Sequence, residues 1–168
     1  MLYWITGLAG SGKTTIGNAL YSELKPKNPA TVLLDGDSLR EVVGGRFGYS
    51  ESERLECSMF YARLCKLLSD QGVTVICAVV AMFESVREWN RASTPGYCEV
   101  YLRVSPKVLR QRDQKGLYSS YVENQSEYVT GLSKEYEEPK NADIVIDNNG
   151  KFTPAEIVKK ILELKNEN

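Results

Sequence analysis

The clearest chemistry in the chain lies in nine residues near its start, Gly7-Leu8-Ala9-Gly10-Ser11-Gly12-Lys13-Thr14-Thr15. A glycine, four free positions and then Gly-Lys-Thr make the pattern of a phosphate-binding loop. Gly7, Gly10 and Gly12 let the backbone turn and bring N–H groups close to phosphate oxygens. Lys13 can reach the terminal phosphates of a nucleotide, and the Thr14 hydroxyl can coordinate Mg²⁺. A second group of polar residues, Asp35-Gly36-Asp37, follows an apolar run. A carboxylate there can orient an attacking hydroxyl, accept its proton late, or hold Mg²⁺ through water. Asp37 is the better base of the two, because Asp35 still belongs to the strand end. Each Asp alone also fits a plain Asp-Gly surface turn. The chain has no histidine, so acid–base work must fall to carboxylates, Lys or Tyr.

The flanking elements are those such residues need. Leu2 to Thr6 reads as a short buried strand. Ile16, Ala19, Leu20 and Leu24 recur at helical spacing, so the loop opens a helix whose N-terminus favours anions. That helix should stop near Pro26. Ala30 to Leu34 is a second strand that ends on the two aspartates, and ligands of open parallel sheets bind at such carboxyl ends. Gly44, Gly45 and Gly48 mark a flexible loop before a long helix from about Ser50 to Gln71. Ser50 and Glu53 form a capping box at its start, and Gly72 closes it. Val73 to Val80 is a third, central strand, Glu84 to Ala92 a helix and Tyr97 to Val104 a fourth strand. A short helix runs from Ser105-Pro106 to about Arg112, Asp143 to Asp147 is a fifth strand, and Pro154 to Leu164 is the closing helix. Alternation of strand and helix predicts an α/β fold with a five-stranded parallel sheet and right-handed crossovers.

The 168 residues suit one domain spanning 1–168. A formal net charge of −1 gives no reason to expect a nucleic-acid polymer or a membrane surface as partner. No apolar run reaches membrane-spanning length, and the N-terminus enters a strand too soon for a signal peptide. The cysteines Cys57, Cys65, Cys77 and Cys98 lack metal-ligand spacing. Buried free thiols in a reducing cytoplasm are the expectation. The stretch 113–140, with Lys115, Gly116, Tyr118, Tyr121, Tyr128, Gly131 and Tyr136, is too long for an ordinary loop and not polar enough for a linker. It reads as a lid that closes over phosphates and excludes water; an excursion with its own short helix is the competing reading.

Taken together, several pieces resemble the adenylyl-sulfate (APS) kinases, a family of P-loop kinases. These are the phosphate loop, Leu34-Asp35-Gly36-Asp37 with Leu39-Arg40, Gly48-Tyr49-Ser50, Glu53-Arg54, Arg112-Asp113-Gln114-Lys115-Gly116-Leu117-Tyr118, Thr130-Gly131-Leu132 and Tyr136-Glu137-Glu138-Pro139. The resemblance covers nearly the whole chain in order. It implies the P-loop NTPase fold and transfer of the γ-phosphoryl of ATP to the 3′-hydroxyl of a 5′-modified nucleotide. It places ATP and Mg²⁺ on Gly7 and on Gly10, Ser11, Gly12, Lys13, Thr14 and Thr15. The acceptor would fall to Asp37, Arg40, Arg54 and Lys115, with Tyr49, Cys57, Ala81, Tyr128 and Val129 lining its pocket. A homodimer is implied as well.

Departures from the family pattern gather on the acceptor side. Tyr49 and Val129 stand where the family has two phenylalanines that sandwich adenine. Losing an aromatic face at 129 costs about 1 kcal/mol of stacking. Cys57 replaces an amide, Met59 and Phe60 replace two arginines, Gly44-Gly45 replaces Asn-Arg, and Ala81 replaces a serine. Fewer cations suggest a less anionic 5′-group, and a weaker clamp suggests a base other than adenine. Family members in bacterial capsule pathways phosphorylate cytidine diphosphoramidate, and the sequence is similar to that variant. An authentic APS kinase is the alternative. A gluconate- or shikimate-type kinase, a non-catalytic nucleotide switch and a polynucleotide kinase fit less of the pattern; the last would want a basic groove.

Overall fold

The computed structural model describes residues 1–113 and 136–166. Its elements are β1 (Leu2–Thr6), α1 (Lys13–Leu24), β2 (Thr31–Asp35), α2 (Gly36–Val42), α3 (Glu51–Asp70) and β3 (Thr74–Val79). There follow α4 (Glu84–Ser93), β4 (Tyr97–Arg103), α5 (Pro106–Arg112), β5 (Ile144–Asp147) and α6 (Pro154–Asn166). The strands form one parallel sheet in the order β2-β3-β1-β4-β5. β1 is therefore the middle strand, and the expected central strand, β3, lies beside it.

Strand alternation divides the apolar residues between the two faces. Leu2 and Trp4 of β1, with Val75, Cys77 and Val79 of β3, face a layer built from Leu39, Tyr61, Ala62 and Cys65. Tyr3, Ile5 and Ile76 point the other way, onto Ile16 and Leu20 of α1 and Ile157 and Ile161 of α6. Trp4, Ile5 and Ile76 are fully buried, and each such side chain contributes about 1.5–3 kcal/mol of transfer free energy. This stack fixes the carboxyl ends of β1, β2 and β3 side by side, so the loops leaving them share one edge. All four cysteines are buried free thiols, as expected.

The sequence reading leaves residues 35–49 as a turn and a glycine loop. The structure instead places the seven-residue helix α2 there. Asp35 caps it, its carboxylate accepting from the Asp37 N–H at 3.1 Å. Gly44 and Gly45, at φ of +60° and +74°, end the turn that follows. A helix of two turns is too short to show a period, and Asp-Gly also signals a turn. The capping box at α3 is present in both halves: Glu53 N–H donates to Ser50 Oγ and Ser50 N–H to the Glu53 carboxylate.

Candidate active site

β1 delivers the chain into the phosphate loop at Thr6. At Gly7, where φ is +152°, a Cβ would stand 2.6 Å from the Leu102 carbonyl oxygen. At Gly12, where φ is +93°, it would stand 2.8 Å from Asn148 Nδ2. Both positions therefore exclude a side chain. Gly12 is also the N-cap of α1, which has no side-chain cap and no acidic residue in its first turn. Its first N–H groups and the positive end of its dipole are left for an anion. The buried Lys13 curls back so that Nζ donates to the Leu8 carbonyl at 2.8 Å, beside the Ser11 N–H that donates to the same oxygen at 3.1 Å. The loop is thus closed around a cation.

Two side chains hold this loop from the far end of the sheet, and sequence reading assigned a role to neither. Asn148, just past β5 and buried, donates from Nδ2 to the Ser11 carbonyl at 2.9 Å. Arg112, at the end of α5, donates to the Gly10 carbonyl at 3.3 Å and to the Asn148 carbonyl at 2.8 Å. Only the Asp-Asn-Asn run after the fifth strand could have drawn attention to Asn148.

Across the loop, Thr14 Oγ1 donates to Asp35 Oδ1 at 2.7 Å. Both Asp35 oxygens are thereby engaged, one by Thr14 and one by the Asp37 N–H. Asp37 lies in the first turn of α2 and its side chain is exposed. A hydroxyl and a carboxylate at this separation form an all-oxygen set that suits a hard divalent cation such as Mg²⁺.

Beyond α2 lie the residues expected to meet an acceptor. Arg40 Nη1 donates to the Phe47 and Gly48 carbonyls at 2.6 and 3.1 Å, and its guanidinium carbon lies 4.6 Å from the Tyr49 ring centroid. Arg40 therefore carries the loop that presents Tyr49, a residue 60% exposed. Arg54 is half-buried at the start of α3; burial, and then the nearby charge of Arg40, depress its pKa. Two guanidiniums held this close attract an anion. Phe47 packs on Phe60 with ring centroids 5.9 Å apart, and Phe60 meets Tyr61 at 6.2 Å. Sequence reading noted Phe60 only as a lost cation and missed Phe47. Cys57 and Ala81 are both buried, Cys57 within the apolar layer around Leu39 and Tyr61. Lys115, Tyr128 and Val129, and most of the expected lid, lie outside the described residues.

The whole arrangement has a counterpart among known proteins. Residues 1–147 match the family model described as adenylylsulphate kinase. This chain belongs to the adenylylsulphate kinase family. One curated relative, the cytidine diphosphoramidate kinase of Campylobacter jejuni, is 40% identical over 162 residues, 96% of this chain and 94% of its own. The probable adenylyl-sulfate kinase of Archaeoglobus fulgidus is also 40% identical, over 144 residues, 86% of this chain and 93% of its own. Among solved structures, the Mycobacterium tuberculosis APS kinase CysC in complex with AMPPNP and APS superposes with a TM-score of 0.90. It is 26% identical, with 98% of this chain and 96% of that one covered. The expected P-loop fold and the expected family are both borne out. The chain is a kinase, and its family transfers phosphate to a nucleotide 3′-hydroxyl. Relatives of equal identity carry different acceptors in their names, so family membership by itself leaves the acceptor undecided.

Proposed function

We propose that this kinase transfers the γ-phosphoryl group of ATP to the 3′-hydroxyl of cytidine 5′-diphosphoramidate, a step of capsule modification in the cytoplasm. The observation that carries the choice of acceptor is the Phe47–Phe60 pair, with Met59, next to Phe60 in sequence, packed on the apolar layer around Leu39 and Tyr61. It puts apolar surface on α3 where the family pattern has two arginines; Arg40, Arg54 and Arg46, whose guanidinium carbon lies 5.7 Å from the Phe47 ring centroid, are cations on this side among the described residues. A terminal phosphoramidate carries the same formal charge as a phosphosulfate but presents an NH2 donor in place of one acceptor oxygen, so it needs fewer cationic donors around its end. A pyrimidine presents less stacking area than adenine, so it loses less when Val129 replaces one aromatic face.

In this reading Gly7, Gly10 to Thr15 and the α1 N-terminus hold the ATP phosphates, and Lys13 leaves the Leu8 carbonyl for the transferring group. Thr14 and Asp35 would hold Mg²⁺, which neutralises charge on the phosphates when bound. Asp37 accepts the proton of the 3′-hydroxyl as the new O–P bond forms and the bond from phosphorus to the departing ADP oxygen breaks. Arg40 positions Tyr49 over the base, Arg54 and Lys115 take the 5′-group, and Tyr128, Val129, Cys57 and Ala81 line the pocket. The working form is a homodimer, as the resemblance implies.

The test is an acceptor screen that follows ATP consumption with cytidine 5′-diphosphoramidate, adenylyl sulfate and plain nucleotides at equal concentration. The cytidine compound should be phosphorylated fastest, and its 3′-deoxy analogue not at all. Lys13→Ala should lower activity by far more than tenfold with the fold intact. Turnover of the 3′-deoxy analogue would rule out the assigned position of transfer. No helix among the described residues is long and apolar enough to cross a membrane.

A further inference from the structure

The strand-end loop 80–83, between β3 and α4, lies between the two halves of the site. On one side the Thr6 hydroxyl, at the entry to the phosphate loop, donates to Met82 Sδ at 3.4 Å. On the other, Gly36 packs so closely on β3 that a Cβ there would stand 3.3 Å from the Ala78 carbonyl oxygen. Whatever fixes this loop therefore fixes Ala81 relative to the phosphate loop, just beyond the strand end on which α2 packs. Its own sequence does little. Phe83, the N-cap of α4, offers no side-chain cap, and the Glu84 carboxylate is turned away to Arg87.

The missing cap comes from a residue 53 positions away. The Glu84 N–H donates to the Glu137 carboxylate at 2.5 Å, and the Glu137 N–H donates back to the Met82 carbonyl at 3.3 Å. The carboxylate stands in for the absent N-cap side chain by satisfying the first N–H of α4, and the second bond ties Met82 to the same distant segment. The negative carboxylate also sits at the positive end of the α4 dipole. The segment that carries Glu137 is fastened along its length. Tyr101 Oη donates to the Glu138 carboxylate at 3.1 Å, and Pro139 is buried. Arg91, near the other end of α4, donates to the Asn141 carbonyl at 2.9 Å and to Asp143 at 3.1 and 3.2 Å. The same Asp143 carboxylate accepts from the Glu99 N–H at 2.7 Å. Both ends of α4 are thus bound to residues 137–143, and Glu137 is the contact nearest the site.

We propose that Glu137 is a positioning residue of the kinase. By capping α4 and holding Met82, it fixes the 80–83 loop and with it the acceptor side of the pocket, without itself touching either substrate. The proposal rests on the reading of the acceptor side given above.

Its test compares Glu137→Ala and Glu137→Gln with the parent. Ile161→Val, a mild core truncation in the α1–α6 layer on the other face of the sheet, serves as the stability control. Kinetics use whichever of cytidine 5′-diphosphoramidate and adenylyl sulfate the parent turns over faster. Glu137→Ala should raise KM for the acceptor tenfold or more and leave KM for ATP within twofold. Glu137→Gln, whose amide oxygen still accepts from the Glu84 N–H, should return the acceptor KM to within threefold of the parent. Ile161→Val should change neither constant. Amide exchange at residues 82–86 should speed up at least tenfold in Glu137→Ala, with α6 unaffected. An acceptor KM within twofold of the parent, or equal rises for both substrates, would overturn the positioning role. Unchanged exchange at 82–86 would overturn the clamp itself. If the parent phosphorylates neither compound, the proposed function fails, and the exchange measurement still decides the clamp.

Discussion

Asn148 offers a sharp test of how the phosphate loop is held. Its side chain is 8% exposed, and its Nδ2 meets the Ser11 carbonyl at 2.9 Å, while its backbone is tied separately by N–H donation to the Arg103 carbonyl. Asn148→Ala therefore removes the side-chain bond and leaves the backbone anchors in place. A buried carbonyl deprived of its partner costs about 1–3 kcal/mol. The space left by the side chain lets the loop relax, so the lower half of that range, about 1–2 kcal/mol, is expected. If the loop alone absorbs the cost, nucleotide affinity falls by about five- to thirtyfold, since 1.4 kcal/mol is a factor of ten. Asn148→Asp is the harsher change, because it sets a carboxylate oxygen against the Ser11 carbonyl in a buried place, and an unpaired buried charge costs more than a lost neutral bond. Titration with a non-hydrolysable ATP analogue, alongside urea unfolding, measures both quantities. The ranking of affinity should be parent, then Ala, then Asp, with KM for the acceptor within twofold throughout. Nucleotide affinity and stability both within twofold of the parent for Asn148→Ala would refute the claim that this bond shapes the loop.

Four further outcomes are expected. Asp37→Asn should lower kcat by about a hundredfold or more with little effect on ATP binding, because the amide keeps the size but accepts no proton. Asp35→Asn should instead raise the Mg²⁺ concentration needed for half-maximal rate, since Asp35 shares its oxygen with Thr14; the reverse pattern would exchange the two roles. Phe60→Arg, which breaks the Phe47 pair and restores a cation, should shift relative kcat/KM toward adenylyl sulfate by about tenfold, and no shift would show that this face does not read the acceptor. In urea unfolding against pH, Asp147, Glu53 and Glu156 have carboxyls held below the usual range by bonds from Arg103, Ser50 and Thr153 respectively. Their folded pKa values lie below the unfolded ones, so their stabilisation is present above about pH 4 and is lost as the pH falls through the depressed values. Burial raises the Glu99 carboxyl, against the pull of Arg87 and Arg91, so Glu99 acts in the opposite sense and offsets part of that loss. Stability that begins to fall already above pH 6 would contradict this balance.

What the sequence disclosed and what it hid divide along sequence distance. Local patterns carry β1, the phosphate loop and α1, because glycine positions, Lys13 and the apolar spacing of Ile16 and Leu20 all lie within one supersecondary unit. The Ser50–Glu53 cap is equally local. α2 was hidden because two turns supply no period and its cap, Asp35, also signals a turn. The contacts that shape the site are long-range: Asn148 reaches Ser11 across 137 positions, and Arg112 reaches Gly10 across 102. Neither has a sequence period, and each arises only when β1, β4 and β5 lie side by side. Arg40 was legible as a cation, but its work in carrying the Tyr49 loop through two carbonyls was not. Phe60 illustrates the same limit, since only the fold shows that Phe47 meets it.

We propose that the acceptor side is rebuilt for a pyrimidine compound with an amidated terminal phosphate. The ratio of kcat/KM for cytidine 5′-diphosphoramidate to that for adenylyl sulfate, measured on one preparation at saturating ATP and Mg²⁺, tests it most directly. A ratio above about a hundred, equivalent to about 3 kcal/mol of transition-state discrimination, is expected. A ratio below one would contradict it and make the chain an adenylyl-sulfate kinase with an altered pocket.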